Sequence, residues 1–278
     1  MSDWFFTSDL HGQTALYEQV LAMAATRRPP VVILGGDLAP HTSGEEGVRL
    51  QRVFLQGFLV EFARRLRESV PGCELLLLMG NDDWGSNHDC LEQQHDALWR
   101  VVHGRAVTVD GMRVAGSSWV PITPFPMKDW ERWEDGRDER PGRLDGVVSR
   151  NGRLEPHAFD PERRSPTIAD ALSELSVLTP IAETVMVLHS PPRDTCCDVT
   201  ASRMHVGSRA IRDFVERHQP PLVVSGHIHE SPRVTSAYRD TIGRSVVVNP
   251  GQFGTSRLCA VWFDPRRPAE TLRHTVFP

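Results

Sequence analysis

Lysine is almost missing from this chain: of the 31 basic residues among 278, only Lys128 is a lysine. That reads as a genome-level bias with no functional message. A basic excess is missing too. The formal net charge is −5, which argues against a general binder of nucleic acid or of membrane surfaces, since such proteins carry basic patches. No apolar run is long enough to span a bilayer. The first residues, "MSDWFFTSDLHG", have an acid at position 3 and no basic stretch, so they do not read as a secretory signal. The five cysteines are odd in number and irregularly spaced, and no CxxC pair occurs among them. That suits reduced thiols in a cytosol better than a disulfide framework. The expectation is a cytoplasmic protein with no membrane partner.

What is present is an ordinary globular composition, 40% hydrophobic and 24% charged. Short apolar runs alternate with longer amphipathic stretches. The runs are "WFFTS", "VVILGG", "ELLLLMG", "VMVLHS", "LVVSG" and "SVVVNPG". Apolar on both faces, they read as central strands of a covered sheet. Helices are expected near 13–27, 45–69, 87–99, 167–178 and 208–218, the last with Ser208 as its N-cap. The alternation implies a layered α/β fold. Residues 100–119 and 245–278 read as hairpins, with Asp110-Gly111 as one turn. A mixed sheet, or two sheets packed together, is therefore expected over a purely parallel one. The chain reads as one domain, 1–278. Residues 121–166, rich in proline, arginine and acid, break the rhythm and are too long for a casual loop. They are expected to form a lid or inserted cap.

The residues just after each run share one chemistry. "WFFTS" is followed by Asp9 and His11, and "VVILGG" by Asp37. "LLLLMG" is followed by Asn81, Asp82 and Asp83, "VMVL" by His189, and "LVVSG" by His227 and His229. Any one of these is most simply a turn residue or a satisfied polar group. Five together fall where ligands sit in open α/β sheets, beyond the carboxyl ends of the strands. Asp9, His11, Asp37, Asn81, His189, His227 and His229 fill eight ligand positions if Asp37 serves twice by bridging. That is the donor set of a two-metal centre, with ions about 3.5–4 Å apart. Mixed imidazole and carboxylate ligation suits Mn, Fe, Zn or Ni, and such a pair does hydrolytic work on phosphoryl groups.

With these blocks in hand, the sequence resembles the calcineurin-like metallophosphoesterase superfamily. The family's signature stands here as "DLH" (9–11), "GD" (36–37), "GNDD" (80–83), "HS" (189–190) and "GHIH" (226–229). The resemblance implies a four-layer sandwich of two mixed β-sheets flanked by helices. It implies that Asp9, His11 and His229 hold one metal and Asn81, His189 and His227 the other, with Asp37 bridging. It also implies attack on phosphorus by a hydroxide between the metals. "HSPPRDTCCD", "HVGSRAIRDF" and "GHIHE" resemble, more loosely, a subgroup of phosphoesterases similar to bacterial cyclic-AMP phosphodiesterases. "VVVNPGQFG" resembles the family's late Asn-Pro-Gly turn, where Asn249 either steadies a metal-binding histidine or simply makes the turn.

One residue departs from the pattern. The family keeps a histidine, the leaving-group acid, where this chain has Asp82, with a supporting carboxylate at Asp83. Losing that acid puts at stake roughly 10²–10⁴-fold in rate. An anionic Asp82 would repel phosphate, so it is expected to turn away or to pair with an arginine. Substrates with good leaving groups, or diesters, are then favoured. His88, in "SNHDC", is a candidate substitute acid from a neighbouring loop. "HVGS" (205–208), ahead of a helix, offers amides for an anion, unless Ser208 is a plain N-cap. Trp130 and Trp133 either stack on a base or pack the insert onto the body. His41, His95, His103, His157 and His218 lack strand-end context and read as surface or structural. The function expected is hydrolysis of a small phosphodiester or phosphomonoester. The acidic balance argues against a polynucleotide. The alternative is a non-catalytic scaffold of the same fold that binds a protein partner.

Overall fold

The structure is a computed structural model that describes residues 3–136, 142–254 and 256–277. The part of the expected insert at 137–141 lies outside the described residues. Two six-stranded sheets form the body. The first runs in the order Arg273–His274, Val261–Phe263, Trp4–Thr7, Val31–Leu34, Glu74–Leu77, Arg100–Val101. The second runs Arg239–Ile242, Ser245–Val248, Leu222–Val224, Thr184–Leu188, Met112–Ser117, Ala106–Val109. Each has a parallel centre with antiparallel strands at an edge. The mixed sheets expected from the sequence are thus present. The hairpin at Ala106–Val109 and Met112–Ser117 turns on Asp110 and Gly111, both at positive φ.

The strands are apolar on both faces because each face meets a different layer. Successive side chains of a strand point to opposite faces. Phe5, Val32, Leu34, Leu75 and Leu77 therefore enter an outer core with the helices Thr14–Arg27 and Val60–Ser69. Their neighbours Trp4, Phe6, Val31, Ile33 and Leu76 enter the central core. From the second sheet, Val185, Val187, Leu222 and Val224 face that same central core. Met186, Leu188, Val223 and Val247 turn to a third core with the helices Ile168–Leu178 and Arg209–His218. Three cores between four layers give helix, sheet, sheet, helix.

Two helices differ from expectation. The stretch 45–69 is one rod of Gly44–Phe54, a π-helical turn at Leu55–Leu59, and Val60–Ser69. The stretch 87–99 is helical only over His88–Glu92. Beyond it, the amides of Ala97, Leu98 and Trp99 all converge on the Gln94 carbonyl, and Asp96 takes a positive φ. That geometry ends a helix. Within 121–166 lies the hairpin Asp145–Arg150 with Arg153–Ala158. Glu131–Arg132 pairs in parallel with Val120–Pro121.

Candidate metal centre

The parallel strands of both sheets end at a common edge, and their loops lace together there. The amide of Asp9 donates to Gly36 O at 3.0 Å, that of His11 to Asp37 O at 2.8 Å, and that of Gly12 to Leu38 O at 2.9 Å. The His227 amide donates to the Asp9 carboxylate at 3.0 Å, and the Asp82 amide to Asp37 Oδ1 at 2.8 Å. Asp9, His11, Asp37 and His227 all hold positive φ, between 44° and 66°. For non-glycine residues this costs on the order of 1–2 kcal/mol each, and such strain gathers at functional sites. Glycine is required where these loops touch. A Cβ on Gly80 would overlap the Asp37 carboxylate, and one on Gly226 would overlap Asp9.

Seven side chains meet as a result. Asp9, His11, Asp37 and His229 bring ligand atoms within 4.8 Å of one another. His11 Nε2 faces His229 Nε2 at 3.1 Å, His229 Nε2 lies 3.3 Å from Asp9 Oδ1, and His11 Nε2 lies 3.7 Å from Asp37 Oδ2. On the other side of Asp37, His189 Nε2 lies 3.4 Å from its Oδ2 and 3.1 Å from Asn81 Oδ1. His227 Nδ1 lies 2.6 Å from the same Asn81 oxygen. Asp37 therefore stands between two groups of donors.

The arrangement fits cations. His189 Nδ1 sits 2.8 Å from the Gly35 carbonyl, so it carries the proton as the donor there. Nε2 then faces two oxygens, and carries a second proton there unless a cation takes its place. Oxygens and ring nitrogens otherwise crowd one another with few protons to share, and positive charge resolves the conflict. Electrostatics agree. Burial alone would raise Asp9 and Asp37, yet neighbouring histidines, His229 for Asp9 and His189 for Asp37, hold both below the usual carboxylate range. Burial likewise disfavours charge on His189 and His229, but Asp37 and Asp9 respectively outweigh it and push each up to about 9. His227 goes the other way, down to about 3, through burial and the neighbouring His189.

The model of the calcineurin-like phosphoesterase family matches residues 5–231. The chain belongs to that family. No protein of curated function matches the chain significantly. Solved structures share its fold. One, with 14% identity, covers 99% of both chains at a TM-score of 0.67. TT1561 of Thermus thermophilus is 17% identical, over 98% of this chain and 97% of that one, at 0.59. A dimetal phosphatase from Danio rerio is 10% identical, over 94% and 91%, at 0.51.

The structure differs from several expectations around the cluster. Among the described residues, Asp82 pairs with a histidine and with no arginine. Its carboxylate bonds His41 Nδ1 at 2.8 Å, and Asn81 Nδ2 donates to it at 3.1 Å. His41, expected to be surface or structural, is thus a missed residue of the site, and the signal was its place in "GDLAPH", four residues past Asp37. Gln51 was missed as well. Its amide nitrogen donates to Pro40 O and Asp82 O, and its oxygen accepts from the Trp84 amide. Nothing in a helix sequence marks such a brace.

Asp83 orients no histidine. It is fully buried and accepts from the amides of Leu38, Ala39 and Gly80 at 2.9–3.0 Å, tying two loops together. Burial and nearby Asp37 push it up to about 7 against those amides. His88 is not at the site. It starts a helix, lies 3.5 Å from Glu92, and packs edge-on against Trp130 with ring centroids 5.6 Å apart. Trp130 and Trp133 are both buried; Trp130 enters the first outer core and its indole donates to Asp83 O at 2.7 Å, while Trp133 packs edge-on against Phe159 within the insert. Trp130 packs the insert onto the body and Trp133 packs the insert on itself, so neither is open to stack on a base. The helix start after "HVGS" already holds an anion. Glu134 accepts from Ser208 Oγ at 2.6 Å and from the amides of Arg209 and Ala210. Ser208 caps the helix through the Ile211 amide. Asn249 makes more than a turn: its amide donates to the carbonyls of Cys197, Gly226 and Ile228, so it grips the loop on both sides of His227.

Proposed function

We propose that this family member hydrolyses a small phosphodiester or phosphomonoester with two divalent metal ions, the diester preferred. The observation that carries the reading is the convergence of seven nitrogen and oxygen donors from five separate loops, split into two groups about Asp37. Asp9, His11 and His229 would hold one ion, and Asn81, His189 and His227 the other, with Asp37 shared. The donors suit Mn, Fe, Zn or Ni. Two such ions supply an activated water and a clamp for the phosphoryl oxygens.

The protein's own groups do the rest. The Gly35 carbonyl fixes the His189 tautomer, and Asn249 fixes the loop that carries His227. Asp82 engages His41 Nδ1, so His41 Nε2 is the atom left to pass a proton to the departing oxygen. This pair stands in for the histidine that position 82 lacks. Burial and Asp37 push the Asp82 carboxyl up, but two bound cations would favour its charged form, and in that form it disfavours a dianionic monoester more than a monoanionic diester. The described parts of the insert that carry Phe125, Met127, Val147 and Leu154 serve as a lid over one side of the site. Five free cysteines support a reducing setting such as the cytoplasm.

The test is turnover of a panel of nitrophenyl mono- and diesters by metal-loaded protein, beside Asp37→Ala. Metal-dependent turnover lost in that variant is expected. No turnover of any ester would contradict the reading and favour a scaffold.

A further inference from the structure

We propose that the cavity beside the cluster is a subsite for an uncharged, largely apolar ester group, so that the substrate is a phosphodiester with an aryl or hydrocarbon substituent. This rests on the phosphoesterase reading and adds the other half of the substrate. The cavity holds about 410 Å³, the size range of small-ligand sites. Asp37, Asn81, His227 and His229 form one side, so its occupant lies against the cluster. The facing wall is Trp84, Phe125, Met127, Val147 and Leu154.

That wall is firmly built. Trp84 and Met127 are buried together with Val48, and Val147 and Leu154 pack on them. The insert's hairpin is stitched to the segment that carries Met127: the Lys128 amide donates to Val147 O at 2.9 Å and the Val147 amide to Pro126 O at 2.8 Å. Phe125, at 55% exposure, leaves a large ring open to solvent where the cavity is lined. A flat or hydrocarbon group gains burial against these side chains, and an aryl ring also gains aromatic contact.

Charge points the same way. Asp37, Asp82 and Glu230 line the cavity with three histidines, and no described residue lining it is arginine or lysine. Lys128 follows Met127 in sequence but is buried, its Nζ donating to Glu131 at 2.7 Å and to Thr123 O at 2.9 Å. With Asp37 and His229 engaged in the cluster, a second anionic group on the substrate would meet the carboxylates of Asp82 and Glu230, with no arginine or lysine among the described lining residues to offset them.

The test is calorimetric titration of the metal-loaded full chain with three symmetric diesters: dimethyl, diphenyl and bis(4-carboxyphenyl) phosphate. Diphenyl phosphate is expected to bind about 10-fold or more tightly than either of the others, the scale of a lost apolar contact. Phe125→Ala and Leu154→Ala, at positions not fully buried, should each cut that advantage several-fold. Equal affinity for the three, or an advantage untouched by both variants, overturns the proposal. Nitrophenyl ester turnover in the same preparations separates the two readings. Turnover without the preference defeats the subsite alone, and preference without turnover defeats the catalytic reading alone.

Discussion

Asp82 bonds His41, so the two residues should act as a unit. If His41 passes a proton to the leaving oxygen, its loss should matter only where the leaving group needs that proton. His41→Ala is expected to lower kcat on alkyl esters by about 10²-fold and to leave nitrophenyl esters nearly unchanged. Equal losses on both would assign His41 to binding instead. Asn249 offers a second test at this scale. Its replacement by alanine removes its hydrogen bonds to the carbonyls of Cys197, Gly226 and Ile228. Gly226 O keeps the Ile228 amide and Ile228 O the Ser231 amide, so the cost falls mainly on Cys197 O, at about 1–3 kcal/mol for an orphaned group, and a loosened loop typically loses about 10–100-fold in metal affinity. Asn249→Ala should therefore show both a lower urea midpoint and weaker Mn²⁺ binding. Loss of stability alone would mean that the loop holds its shape without this grip.

At the scale of elements, the insert is tied to the body through Glu134, which caps the helix Arg209–His218. Hydrogen bonds to a charged group contribute about 1.5–3 kcal/mol. Glu134→Ala is expected to lower stability by about that much in urea titration, whereas Glu134→Gln, which keeps an acceptor, should lose less. Strands were legible in sequence because apolar runs on both faces demand a covered sheet, and the layers follow from their period of two. The residues that cluster at the sheet edge were legible because each lies just past such a run. His41, Gln51 and the apolar wall of the cavity were not. His41 sits four residues beyond its strand end, Gln51 lies on a helix, and the wall comes from an insert with little periodicity. Their roles exist only across elements distant in sequence. Glu134 hid for the same reason: the helix start looked free for an anion until a carboxylate 74 residues away reached it.

For the whole molecule, the histidines make metal binding and pH one problem. In the metal-free protein His189 and His229 titrate near 9, above the ordinary 6.5. A raised histidine stabilises the fold fully below its unfolded value and loses that contribution as pH rises through its folded value. The Tm of the metal-free protein should therefore fall between about pH 6.5 and 9, and bound metal should flatten the fall by replacing the protons. At pH 7 both histidines are protonated without metal, so metal binding should release about two protons. Calorimetry in buffers of different ionisation enthalpy measures that number. The central claim is that five loops from two sheets form one site for two ions that share Asp37. Metal content after dialysis against Mn²⁺ tests it most directly. The account predicts two equivalents per wild-type chain and at most one for Asp37→Ala. A wild type that holds none or one, or a variant that still holds two, would contradict it.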